Sequence, residues 1–125
     1  RIINLPSTTA KEPAANMGLS NVTRAALAAY SKTLSIEIAK FNITVNTILT
    51  GGCLTERLNS LIRKNSKNKK DFEKNLKLII NSAPMKRIAY PEEFVKLIIF
   101  LASENSSYIN GTAIAIDGGV SKNIF

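Results

Sequence analysis

Histidine and tryptophan are absent from these 125 residues, cysteine occurs once and proline four times. Each shortage removes a class of chemistry. Without histidine the common zinc sites and every histidine-based triad are excluded. The single Cys53 cannot close an internal disulfide, and no base is identifiable beside it, so a cysteine nucleophile is not indicated. No apolar run approaches the length of a membrane span and no charged-then-apolar leader opens the chain, so the expectation is a soluble cytoplasmic protein with no membrane partner. Hydroxyls, amines, carboxylates and backbone groups are left to do any chemistry.

What is present fits a globular domain. Apolar residues make up 45% of the chain and recur in organised runs, and the length suits one domain with a modest core. The net charge is +8, with basic residues densest from Arg63 to Lys77. That stretch admits three readings: a nucleic-acid contact, a contact for an acidic protein or carrier-bound substrate, or a solvated helical face. Aromatic residues do not alternate with the basic ones, so a single-strand stacking platform is not indicated and nucleic acid is not the expected partner.

Along the chain, Arg1 to Leu5 reads as a buried strand and Ser7 to Asn16 as the loop that ends it. From about Leu19 to Phe41, Leu19, Val22, Ala26, Leu27, Tyr30, Leu34 and Ile38 recur at helical spacing, with alanines that permit close approach to a neighbour. Tyr30 reads as a packed helix aromatic. Asn42 ends the helix, and Ile43 to Leu49 follows as a β-branched strand entering the turn Thr50-Gly51-Gly52. Residues 56–83 carry two helical pieces joined by a flexible basic connection, a lid-like insertion within a domain that spans residues 1–125. Pro91-Glu92-Glu93 fits the first turn of another helix, and Thr112 to Ile116 is a last strand closed by Asp117-Gly118-Gly119.

The alternation of strands and helices specifies parallel strands joined by right-handed crossovers, an α/β doubly wound sheet. In such a sheet the ligand crevice lies outside the carboxyl ends of the strands. Ser7 and the turn from Thr50 to Thr55 both fall at that edge. Ser20 and Arg24, four apart on one helix face, can converge with Ser7 on one pocket.

In order and spacing, RIINLPS, RAALAAYSKTLSIEIAKFNITVNTI, PEEFVKLIIFLAS and YINGTAIAIDGG resemble the C-terminal half of a short-chain dehydrogenase/reductase, particularly 3-oxoacyl-acyl-carrier-protein reductases or glucose-dehydrogenase-like members. The resemblance covers essentially the whole chain and implies a Rossmann-like domain that binds NAD or NADP. It implies that Ser7 orients the substrate oxygen. Ser20 stands where the family has its tyrosine acid and Arg24 where it has its lysine. Serine has no ring to delocalise an anion, and a guanidinium is permanently charged, so both changes alter the proton path. The resemblance further implies cofactor contacts at Arg24 and along the family's proline-glycine turn: Gly51 and Thr55 match it, Thr50 replaces the proline, and Cys53 offers backbone groups. Thr55 is equally read as a cap of the helix that follows.

The family's glycine-rich phosphate turn is absent here, which implies a piece of a longer protein. The function implied is an NAD(P)-dependent oxidoreductase acting on a carbonyl or alcohol, a 3-oxoacyl thioester among the candidates, working as a homodimer or homotetramer. The alternative is a non-catalytic cofactor-binding or scaffold protein that has kept the fold.

Overall fold

The computed structural model describes residues 1–124. The strands are β1 (Ile2–Asn4), β2 (Val45–Thr50) and β3 (Ala113–Ile116), and the helices are α1 (Gly18–Glu37), α2 (Glu56–Lys64), α3 (Lys69–Ser82) and α4 (Pro91–Ala102). Three parallel strands form one sheet in the order β1-β2-β3, with Ile2 opposite Val45 and Thr47 opposite Ala113. The fold is thus the doubly wound α/β sheet that the alternation of elements specifies.

β2 is central and buried on both faces, as a parallel strand beneath helices must be. Ile48 is fully buried against Phe94 and Leu101 of α4, with Ile3, Ile114 and Ile116 packed around them. On the opposite face Asn4 donates from Nδ2 to Ser31 Oγ of α1 at 2.8 Å.

That contact exposes a difference from the sequence pattern. α1 meets the sheet with Ser31 and Ser35, which are buried, while Leu19, Val22, Leu27 and Tyr30 of its apolar stripe are exposed. Tyr30 is 60% accessible rather than packed. The reason is size: serine lets the helix backbone approach the strands, and its hydroxyl is satisfied locally. Ser31 Oγ donates to Leu27 O at 2.7 Å and Ser35 Oγ to Lys32 O at 2.7 Å. α1 is followed by a 3-10 turn over Ala39–Phe41, and Asn42 stops it in the left-handed conformation with φ 60°.

The connection between α2 and α3, expected from composition as a flexible link, carries hydrogen bonds across its corner. Asn68 Oδ1 caps α3 by accepting from Asp71 N at 2.9 Å. Asn75 Nδ2 donates back across the corner to Ser66 Oγ at 3.0 Å and Asn65 O at 3.2 Å.

At the start of α4 one carboxylate does two jobs. Glu93 accepts both ends of the Arg87 guanidinium, at 2.6 and 2.7 Å, and also the Tyr90 N–H at 2.9 Å. The Arg87 hydrogen bonds, then the Tyr90 N–H, hold the Glu93 carboxyl down at about 2. A folded-state value below the unfolded one means that Glu93 stabilises the fold above the ordinary glutamate range, and that this contribution is lost as pH falls toward about 2. Glu93→Gln is therefore expected to lower the thermal midpoint at neutral pH and to flatten its decline over the acid range. An unchanged acid profile in the variant would show that the clamp contributes nothing.

Candidate functional site

The carboxyl ends of β1 and β2 are locked together beyond the regular sheet. Ser7 pairs with Thr50 in a parallel bridge, and Thr50 Oγ1 donates to Pro6 O at 2.7 Å. A threonine at this position thus crosslinks two strand ends by hydrogen bond. Behind it Gly51 lies against the end of β3: its N–H donates to Ile116 O at 2.9 Å, and a Cβ there would fall 2.6 Å from Asp117 Cα. Only glycine fits that approach.

Ser7 opens a 3-10 turn over Thr8–Ala10. Its Oγ accepts from Thr9 N at 3.4 Å, and its carbonyl accepts from Ala10 N at 2.9 Å. The Oγ accepts from the turn, and among the described residues no acceptor takes its proton, so it can donate to an outside group. From α1, Arg24 Nη1 donates to Thr9 Oγ1 at 3.0 Å. The guanidinium is thereby held beside the same turn.

Two clefts meet at this edge. One, of about 510 Å³, is lined by Ser7, Arg24, Cys53, Thr55 and Arg57 among others. The second, of about 290 Å³, is lined by Ser7, Thr8, Ile79, Ser82, Met85 and neighbours from the turn after β3. Ser7, Thr50, Gly51 and Gly52 border both, so the strand ends form the shared wall. The structure therefore brings Ser7, Arg24, Thr50, Gly51, Cys53 and Thr55 together. Ser20 stands one turn before Arg24 on α1, half-buried and outside the residues lining either cleft.

Thr55 is the cap of α2, accepting from Leu58 N at 3.3 Å while its own hydroxyl reaches Cys53 O at 3.4 Å. Cys53 bridges Ala89 through its neighbours, with Leu54 N donating to Ala89 O at 2.8 Å and Ala89 N to Gly52 O at 3.2 Å. In a parallel bridge of that kind the peptide groups of Cys53 itself point away from Ala89. Burial first, then the negative charges of Glu92 and Glu93, push the Cys53 thiol up, which keeps it protonated and a poor nucleophile.

Sequence reasoning passed over Thr9 and Arg57, and gave the α3 wall of the second cleft only as part of a lid-like segment. Arg57 carried a readable signal, a cation in the first turn of α2 where the helix dipole disfavours it. Thr9 carried none, since its role depends on the 3-10 turn and on a partner fifteen residues away.

A doubly wound parallel sheet with a serine at one strand end, a glycine turn at the next and a basic side chain reaching over from the intervening helix is the architecture of a short-chain dehydrogenase/reductase. The family model described as enoyl-(acyl carrier protein) reductase matches residues 1–121, and the chain belongs to that family. It is 42% identical to the NADPH-dependent reductase BacG of Bacillus subtilis over 128 residues, covering 99% of this chain and 48% of BacG. Among solved structures it is similar to YwfH, an NADPH-dependent reductase involved in bacilysin biosynthesis, with a TM-score of 0.90 and 41% identity over 99% of this chain and 48% of YwfH. It is also similar to the L-sorbose reductase of Gluconobacter frateurii, solved with NADPH and L-sorbose, with a TM-score of 0.92 and 38% identity over 98% of this chain and 48% of that enzyme. The chain spans about half the length of these relatives.

Proposed function

We propose that these residues form the C-terminal, substrate-side part of an NAD(P)H-dependent oxidoreductase that moves a hydride between the nicotinamide and a carbonyl or alcohol carbon. The observation that carries this reading is the shared wall: one serine borders both a cationic cleft and a second cleft, and among the described residues its hydroxyl proton has no acceptor. The cationic cleft suits the cofactor. Arg24 would hold a ribose, Gly51 lines the cleft, and the turn from Thr50 to Thr55 would hold the carboxamide and a nearby phosphate through Cys53 backbone groups and the Thr55 hydroxyl. NADPH is the favoured form, because BacG and YwfH are NADPH-dependent and the sorbose reductase was solved with NADPH. When bound, the cofactor supplies the hydride.

The second cleft would take the substrate beneath α3, whose residues Ile79 and Ser82 line it, with residues 56–83 acting as a lid. Ser7 would donate its hydrogen bond to the reacting oxygen, and a water near Ser20 and Arg24 would complete proton exchange. A 3-oxoacyl thioester, a sugar and a simple ketone are the substrate classes to compare. The exposed stripe of Leu19, Val22 and Tyr30 on α1 supports a homo-oligomer, and the lone, half-buried Cys53 accords with a cytoplasmic setting.

Ser20 favours a second reading, a cofactor-binding protein without turnover, because the position of the family's acid carries a side chain that lines neither cleft. Titration of the complete protein with NADH and NADPH, followed by nicotinamide absorbance with the three substrate classes, separates the two. Turnover establishes the enzyme, and saturable binding without turnover establishes the second reading. Absence of binding by a folded sample would sink both.

A further inference from the structure

We propose that Thr9 is a positioning residue that fixes the Arg24 guanidinium relative to the Ser7 hydroxyl. The group that Arg24 is aimed at rests on the functional reading above, whereas the coupling of Thr9 to Arg24 does not.

The observation is a two-bond chain through one residue. Thr9 N–H donates to Ser7 Oγ at 3.4 Å, and Thr9 Oγ1 accepts from Arg24 Nη1 at 3.0 Å. Its turn is held by three further backbone bonds: Ala10 N to Ser7 O at 2.9 Å, with Lys11 N and Glu12 N to Thr8 O, each at 3.0 Å. Thr9 therefore sits on a rigid corner whose other end is the site serine.

The chemistry requires an acceptor at Thr9. A guanidinium presents five N–H donors in a plane and no acceptor, and Arg24 is half-buried, so a donor without a partner would be costly there. One bond from Nη1 anchors that end of the fork to the turn. Arg24 also lines the 510 Å³ cleft, which leaves its other donors for a group bound there. A flexible ammonium at this position would need no such restraint, which makes Thr9 the local complement of an arginine.

Thr9→Val keeps the N–H to Ser7 and the β-branched shape, and removes only the acceptor. The experiment is a double-mutant cycle on the complete protein with Thr9→Val, Arg24→Met, the double variant and Thr9→Ser, read two ways. By NADPH fluorescence titration, Thr9→Val is expected to weaken binding by about tenfold, the scale of a lost bond to a charged group. Thr9→Ser should restore it, and in the Arg24→Met background Thr9→Val should change nothing. By thermal unfolding without cofactor, Thr9→Val should lower the midpoint by about 2–4 °C in the parent and not at all beside Arg24→Met. Equal shifts in both backgrounds, or a serine variant that behaves like valine in that thermal assay, would overturn the proposal. If the parent binds no NADPH, the functional reading fails while the thermal cycle still decides the role of Thr9.

Discussion

Ser7→Ala in the complete enzyme is expected to lower kcat by about 10²–10³-fold, the usual scale for removing one side-chain donor aimed at an oxygen where charge develops. Among the described residues the Ser7 proton has no acceptor, and the residue borders both clefts. Affinity for NADPH should change little, because the groups assigned to the cofactor lie on α1 and from the last residue of β2 to Thr55. The fold should survive as well. The backbone bond from Ala10 N to Ser7 O remains, and the lost side-chain bond is a long 3.4 Å contact. Steady-state kinetics with the best substrate from the panel, beside a fluorescence titration, provides the check. A variant that turns over at the parent rate would remove Ser7 from the chemistry and move attention to Arg24.

Gly51→Ala is expected to be strongly damaging, costing about 3 kcal/mol by forcing atoms into a packed backbone. Its Cβ would lie 2.6 Å from both Asp117 Cα and Cβ and 3.2 Å from Ile116 O, and no flexible side-chain end is available to yield. Asp117 is itself held in place. Its carboxylate accepts from Gly119 N at 2.9 Å and Ser121 N at 2.8 Å. Partial burial pushes that carboxyl up, but the bonds from Ser121, Gly119 and Val120 outweigh it and leave it lowered. The variant must therefore part the ends of β2 and β3. Gly52→Ala is the built-in control: its Cβ would meet Ile88 Cγ2 at an ordinary 3.7 Å, and its φ is not positive. Urea unfolding should separate the two variants clearly. Coincident midpoints would mean that the strand ends do not approach as closely as described.

The two glycines show where a reading of residues stops. Gly-Gly after a β-branched strand marks a turn, but nothing local says which glycine faces a neighbouring strand sixty residues later. Asn42, Pro91 and a β-branched strand over Ile43 to Leu49 could be read directly, because left-handed propensity, a fixed proline φ and β-branching act within a few residues. The same is true of Thr55, whose capping bond spans three positions. The strand itself runs Val45–Thr50, so Thr50 belongs to it and not to the turn.

By itself the sequence determined the order and type of the elements, the parallel class of the sheet, and the placement of Ser7 and Gly51 at strand ends and of Thr55 as a helix cap, since these depend on periodicity and on local backbone preferences. Only the tertiary structure decided which face of α1 packs, since apolar periodicity describes a helix's own faces and not what covers them. It alone joined Thr9 to Arg24, set Ser20 outside the lining of both clefts, and made Ser7 and the turn after β2 one wall between two clefts. Each of these arises from residues far apart in the chain that the parallel sheet brings to a single edge.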